Sequence, residues 1–398
     1  METNRMSGYK LLQLNVTANW GSTGKIAEGI GLAAMSRGWE SYIAYGRYMN
    51  PSQSHLMKVG NQLDVYKHYA CNRFFDGEGL GSKKATHRLI AQIDELTPDI
   101  IQLHNIHDHW LNFPALFKYL ATIDTPVVWT FHDCWTFTGG CYHFEDEGCY
   151  KWRQGRCESP CPLKHKMSER NYSLKRELIG ALGERLTVVA VSQWMADYAK
   201  ESFLRDSHAR IEILNNGINL DTFKPSGCEK EKMILGVSNI WPKSKGLDDF
   251  VRLRQILPDD IAITVVGLSE QQVKTLPEGI TGMTRTGSAS ELARIYAKAS
   301  AFVNPTYSDS FPTVNLEALA CGTPVITYRT GGSPEAVDGQ TGVVVEKGNV
   351  EALAEAIVDV IGNPGLYTSE NCRERAERNF NQDIQFGKYI NLYSEIIK

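Results

Sequence analysis

The 398-residue sequence predicts an α/β protein built from two Rossmann-like, parallel-sheet domains. Three observations lead there. Short runs such as 127–131 and 261–266 are apolar but for one threonine each, as strands covered on both faces are. Amphipathic stretches of helical length lie between most of them. The alternation then begins again after a turn-rich stretch, Asn216-Gly217-Ile218-Asn219 with Pro225 close behind.

In the first half, strands are expected at 10–16, 42–44, 100–103, 127–131, 188–191 and 211–214, with helices at 25–36, 83–96, 115–121 and 193–203. In the second half, strands are expected at 233–237, 261–266, 301–303, 325–327 and 342–345. Its helices fall at 246–256, 290–298, 313–320 and 351–361. The expected division is 1–218, carrying a Cys-rich insertion at 134–165, then 219–379, then a terminal helix at 380–398. Ligands of open α/β sheets bind beyond the carboxyl ends of the strands. Two such domains facing across a cleft suit a reaction between two substrates.

Composition narrows the function classes. The chain is 42% hydrophobic and 22% charged, with a net charge of −4, so no basic field invites nucleic acid. A local basic patch fits inside a balanced total, which leaves peripheral membrane contact open. Residues 1–8 are polar, unlike a secretory signal, and no run approaches the roughly 18 apolar residues of a spanning helix. These features predict a cytoplasmic protein, with the inner membrane face as an option, and nine cysteines held mostly reduced.

The segment from Asp309 to Glu317 carries the most chemistry. Pro312 stands where a helix begins, since its missing N–H costs nothing there. The first turn, Thr313, Val314 and Asn315, then presents free backbone N–H groups to an anion. Carboxylates at Asp309 and Glu317 flank that turn and suit vicinal diols, although spacing alone favours a solvated acid and a helix-stabilising Asp. Lys243 and Lys245 follow the first strand of the second half, where a cation can neutralise a leaving diphosphate.

In the first half, Asn19-Trp-Gly21-Ser-Thr-Gly24-Lys25 opens a helix but fails the P-loop spacing: Asn19 and Ile26 stand where Gly and Ser/Thr are required. His104, His107 and His109 crowd the end of strand 100–103, a loop better suited to lining an acceptor side than to caging a metal. His132 ends strand 127–131, a position for a sugar-binding group or for a satisfied core histidine. Cys141, Cys149, Cys157 and Cys161 suit a structural zinc, or free or redox-active thiols.

The run Asp309-Ser-Phe-Pro-Thr-Val-Asn-Leu-Glu-Ala-Leu-Ala-Cys-Gly-Thr-Pro-Val-Ile326, with Gly331-Gly332-Ser-Pro-Glu335, closely resembles the donor-site signature of glycosyltransferase family 4. The resemblance implies a GT-B fold and a donor nucleotide-diphosphate-sugar. It implies Glu317 on the ribose, Asp309 on the transferred sugar, and Gly331 and Gly332 shaping the nucleotide pocket. Asp309 departs from the family's usual Glu by one methylene. Lys245-Gly246 matches the family's Lys-Gly, but no Arg precedes it: Ser238 or Asn239 stands there, and Lys243 is the candidate second charge. The resemblance also implies that Gly21, Gly24 and Lys25 cover the donor, that His132 is near the transferred sugar, and that the terminal helix crosses back to the first domain.

His132-Asp-Cys-Trp-Thr-Phe-Thr-Gly-Gly-Cys141 resembles a subset of the family from exopolysaccharide and capsule pathways. The implied activity is retaining transfer of a sugar to a saccharide or lipid-linked saccharide acceptor, with no cofactor needed for chemistry. A GT-B nucleotide-sugar epimerase and a non-catalytic nucleotide-sugar-binding subunit are the alternatives.

Overall fold

The computed structural model describes residues 8–155 and 167–397. The chain forms two compact units. One runs to Asn215 and takes up the chain again from Phe386; the other is Asn216–Gln385.

The first unit carries β1 (Lys10–Asn15), β2 (Glu40–Tyr45), β3 (His55–Lys58), β4 (Ile100–Leu103), β5 (Val127–Phe131), β6 (Leu186–Ala190) and β7 (Arg210–Ile213). They form one seven-stranded sheet in the order β3-β2-β1-β4-β5-β6-β7, parallel at every pairing. The central strands β4, β5 and β6 are buried on both faces, which is why they read as near-continuous apolar runs. Leu12, Leu103, Val127 and Val188 face the helices Lys83–Leu96 and Phe113–Leu120. Their neighbours Leu11, Ile100, Val128 and Val189 face Ile26 and Ile30 together with Phe386, Tyr389, Ile390 and Tyr393 of the last helix, Gln382–Ile396. Polar bonds pin that helix too: Tyr393 donates to Gln102 Oε1 at 2.8 Å, and the Tyr389 hydroxyl lies 3.2 Å from Thr130 Oγ1.

The second unit carries β8 (Glu231–Val237), β9 (Ala262–Val266), β10 (Ile280–Met283), β11 (Ala299–Asn304), β12 (Val325–Tyr328) and β13 (Gly342–Val345). Its six-stranded parallel sheet has the order β10-β9-β8-β11-β12-β13. Ile234, Ile263, Val303 and Ile326 pack there against Phe250, Leu253, Leu353 and Ile357.

Every expected strand is present. Two more appear, β3 and β10, both at sheet edges and both only partly buried, so neither has the continuous apolar run that betrays a central strand. The helices Gln62–Phe75, Ser168–Gly180, Glu270–Thr275 and Ser369–Phe380 were likewise not expected. Among the described residues no helix is long and apolar enough to cross a membrane.

The zinc expectation is corrected at Cys141, which is disulfide-bonded and so is no thiolate, an exception to the mostly reduced state expected of the cysteines. Cys149 is free and buried. Cys157 and Cys161 lie outside the described residues, and no group of metal-holding side chains occurs among those described.

Candidate functional site

In the second unit, three loops beyond the carboxyl ends of β8, β11 and β12 converge on Asp309. Lys245 ends the short 3-10 turn Lys243–Lys245, and its Nζ donates to Asp309 Oδ2 at 2.6 Å, to Ser308 O at 3.4 Å and to Thr306 Oγ1 at 3.5 Å. The turn approaches closely because Gly246 follows. At φ +74°, a Cβ there would lie 2.2 Å from Pro305 O. Tyr307 N donates to Ser244 O at 2.8 Å and closes the same contact. Gly331 does the equivalent on the other side: at φ +54°, its Cβ would lie 1.9 Å from Asp309 O, which accepts from Gly332 N at 3.1 Å.

The helix Thr313–Ala320 starts two residues beyond the Asp309–Phe311 turn, in which Phe311 N donates to Asp309 Oδ1 at 3.3 Å. Pro312 supplies no side-chain cap, and the first turn holds no acid. Its amides are therefore free of side-chain competition for an anion. Thr313 and Val314 are half-buried. Asn315 is fully buried and its side chain is used internally: Oδ1 accepts from Asn304 at 2.8 Å, and Nδ2 donates to Ser333 Oγ at 3.0 Å. It ties β11, the helix and the turn after Gly332 together. Glu317, half-buried, accepts from the Tyr296 hydroxyl at 3.0 Å. Burial, with Glu317 beside it, pushes the Tyr296 hydroxyl well above its ordinary pKa, so Tyr296 remains a donor. Asn239 and Lys243 are exposed.

In the first unit, a chain of hydrogen bonds fixes the state of His132. Gln13 Nε2 donates to Ala27 O at 2.7 Å, which aims Gln13 Oε1 at His104 Nε2, 3.1 Å away. An amide oxygen only accepts, so His104 Nε2 carries a proton. Burial, reinforced by neighbouring His132, holds His104 far below its ordinary pKa, so the ring is neutral and its Nδ1 is an acceptor. His132 Nε2, 3.1 Å from that atom, must donate. Burial takes His132 itself down to about 4. The neutral ring is left with Nδ1 as a bare acceptor, suited to a sugar hydroxyl.

His107 belongs to a different pair. Its Nε2 lies 2.8 Å from Asp133 Oδ2, and its ring centroid 4.7 Å from that of Tyr142. Burial opposes charge on both partners, but their mutual attraction wins. His107 sits above its ordinary value, and Asp133 is held down at about 2. Gly21 opens the helix Gly21–Ser36 at φ +67°, Gly24 is packed so that a Cβ would meet Thr17 Oγ1 at 2.7 Å, and Lys25 is exposed. The structure thus groups Lys245, Asp309, Gly331 and Gly332 in one unit and His104 with His132 in the other. Sequence reasoning passed over Tyr296 and Gln13, because each is a lone polar residue inside an otherwise regular element.

Two family descriptions match the chain in succession: "Glycosyltransferase Family 4" over residues 29–222 and "Glycosyl transferases group 1" over residues 231–363. The chain belongs to this family of GT-B glycosyltransferases, which draw on nucleotide-sugar donors. Among its relatives is a colanic acid biosynthesis glycosyl transferase of Escherichia coli (strain K12), WcaC, 24% identical over 97% of this chain and 100% of the relative. A D-inositol 3-phosphate glycosyltransferase of Streptomyces scabiei is 31% identical, over only 46% of this chain and 49% of its own. Among solved structures, sucrose-phosphate synthase from Thermosynechococcus elongatus superposes with a TM-score of 0.72 at 18% identity, covering 98% of this chain and 99% of that one. Anabaena HepE in complex with UDP gives 0.65 at 15% identity, covering 98% and 100%. At these identities the likeness is one of fold.

Proposed function

We propose that this chain is a retaining transferase that moves a sugar from a nucleoside-diphosphate sugar onto a saccharide or lipid-linked saccharide acceptor during polysaccharide assembly. The observation that carries the reading is the Lys245–Asp309 pair, 2.6 Å long, set beside an uncapped helix start. A cation and free amides receive the diphosphate, while the carboxylate meets the hydroxyls of the sugar. Glu317, steadied by Tyr296, takes the ribose diol. UDP is the nucleotide favoured by the fold relative HepE, solved with UDP and with UDP-glucose. The relative WcaC, aligned over its whole length, favours an exopolysaccharide of the colanic acid kind.

In the reaction, the bond from the anomeric carbon to the diphosphate oxygen breaks and one to the acceptor oxygen forms on the same face. The acceptor's proton passes to the departing diphosphate, so no enzyme carboxylate is consumed as nucleophile. Lys245 and the helix amides stabilise the charge that builds on the leaving group. His132 accepts a hydrogen bond from a hydroxyl of the reacting sugars, and the loop that carries His104 and His107 belongs to the acceptor side. Donor phosphates and sugar are also met by the turn at Gly21, Gly24 and Lys25.

The test is a thermal-shift screen of nucleotide sugars, followed by transfer with the stabilising donor to a pool of lipid-linked and free saccharides. A new glycoside with the donor's anomeric configuration, read by NMR, is expected. Release of an epimerised nucleotide sugar with no acceptor present overturns the reading, as does donor binding without turnover on any acceptor.

A further inference from the structure

The loops that leave β1 and β2 are locked to each other. Ala18 N donates to Tyr48 O and Asn50 N to Ala18 O, both at 3.0 Å, so the pairing of the two strands resumes past their ends. Asn19 Nδ2 donates to Pro51 O at 2.6 Å, and Asn50 Nδ2 returns a bond to Asn19 O at 2.8 Å. Thr17 Oγ1 donates to Trp20 O at 2.7 Å and fixes the residue beyond. Yet these tied loops hold two large aromatic side chains out in water: Trp20 is 37% exposed and Tyr48 51%. Their ring centroids lie 4.8 Å apart with the planes inclined by 35°. Adjoining aromatic surfaces on a fixed backbone lose little conformational freedom on meeting a ligand.

A polar pair stands at their edge. Arg47 Cζ is 5.3 Å from the centre of the Tyr48 ring, and Arg47 Nη1 donates to Asp108 Oδ2 at 2.8 Å. Asp108 follows β4 in a strained turn: Asp108 and His109 both take left-handed backbone, at φ +76° and +69°. Asn19, just ahead of Trp20, is left-handed too, at φ +47°. Backbone of this kind persists where the surroundings over-determine it, and it gathers at ligand sites. Topology points to the same place. In the order β3-β2-β1-β4-β5-β6-β7 the winding reverses between β1 and β4, and open α/β sheets bind ligands at the carboxyl ends beside that reversal. Trp20 comes from one side of it and Asp108 from the other. A pyranose has a face of C–H groups, which an aromatic ring covers, and a rim of vicinal hydroxyls, which a guanidinium and a carboxylate bind in pairs.

We propose that Trp20 and Tyr48, with Arg47 and Asp108 at their edge, form a subsite for one pyranose ring of the saccharide acceptor. The assignment rests on the transferase reading only in calling that saccharide an acceptor, so binding tests it without turnover. Saturation-transfer NMR of the full chain is run with cellobiose, lactose and maltose, with calorimetry against UDP alongside. Saturation of the ring C–H protons of at least one disaccharide is expected. Trp20→Ala and Tyr48→Ala should each weaken that binding by about tenfold, while Trp20→Phe stays within about threefold of wild type. Asp108→Asn, a residue that tolerates the left-handed turn, should weaken it by about fivefold. Tyr48→Ala, at an exposed position, should keep the wild-type melting temperature and UDP affinity. Binding of none of the disaccharides, or equal binding in the alanine variants, overturns the proposal. Saccharide binding that the variants weaken, in a chain that does not bind UDP, upholds the subsite and sinks the donor site alone. A change of oligomeric state in the variants with no saccharide bound overturns it and makes the aromatic pair a self-association surface.

Discussion

Lys245 and Asp309, 64 residues apart in sequence, meet at 2.6 Å, and the carboxylate that holds the lysine is one methylene shorter than the Glu usual in the family. The shorter arm keeps Asp309 close to its own backbone, with Oδ1 accepting from Phe311 N and the carbonyl tied to Gly332. Lys245→Met should lower turnover by about 10²-fold or more, the scale of losing one charge-stabilising donor. Asp309→Asn should leave nucleoside-diphosphate affinity within about threefold while turnover falls by a similar factor. Calorimetry with UDP beside initial rates separates the two. Equal activity of Lys245→Met would falsify the donor-site assignment.

Glu317→Ala is expected to abolish donor binding. Tyr296→Phe removes one hydrogen bond to that carboxylate and should weaken binding by about 1 kcal/mol, or roughly fivefold. Isothermal titration with the donor reads both. Wild-type affinity in Glu317→Ala would move the ribose elsewhere.

His132→Ala should lower turnover more than donor affinity, by about 10²-fold against less than threefold. In Gln13→Leu, His104 loses the acceptor that sets its tautomer, so the His132 ring should populate both neutral tautomers. Nitrogen NMR of the imidazoles checks this: a His132 signal unchanged by Gln13→Leu would rule out the hydrogen-bonded chain as its cause.

The buried histidines make the first unit sensitive to acid. Burial, above all, holds His68 and His132 down at about 4 and His104 well below 6.5. Their folded values lie below the unfolded one, so their contribution is complete above about pH 6.5. It is lost as pH falls toward 4, because only the unfolded chain takes up protons there. His107, raised by Asp133, acts in the opposite sense: its contribution is present below 6.5 and is lost as pH rises through its folded value. Between pH 6.5 and 4.5 the contribution of His107 is already in place while those of the other three are being lost, so the melting temperature should fall there. Calorimetry showing it constant or rising would contradict neutral burial.

Gly331→Ala should cost stability and donor binding together, since the new Cβ would sit 1.9 Å from Asp309 O at φ +54°. A melting temperature within a degree of wild type would show that the loop yields freely.

What the sequence made legible follows burial. Strands such as β5, VVWTF, are buried at every position and announce themselves as apolar runs; β3, HLMK, is exposed at both ends and does not. The helix Thr313–Ala320 was readable to the residue because Pro312 marks its start. The helix Gln62–Phe75 was not, because its apolar residues point the wrong way for a core. At the site, Lys245, Asp309 and Glu317 could be picked out from a local motif. The chain Gln13–His104–His132 could not, since its members are brought side by side only by the pairing of β1, β4 and β5. Cys141 shows the limit from the other side: its spacing suggested a thiolate, and it is bonded to sulfur.

The return of the chain to its first unit at Phe386 sets an order of events during synthesis. Leu11, Ile100, Val128 and Val189 have one face waiting for Phe386, Tyr389 and Tyr393, which the ribosome adds only after the entire second unit. Gly29 is shaped for that arrival, since any Cβ would strike the Phe386 ring. Until then the nascent first unit exposes an apolar sheet face, a target for chaperones and proteases.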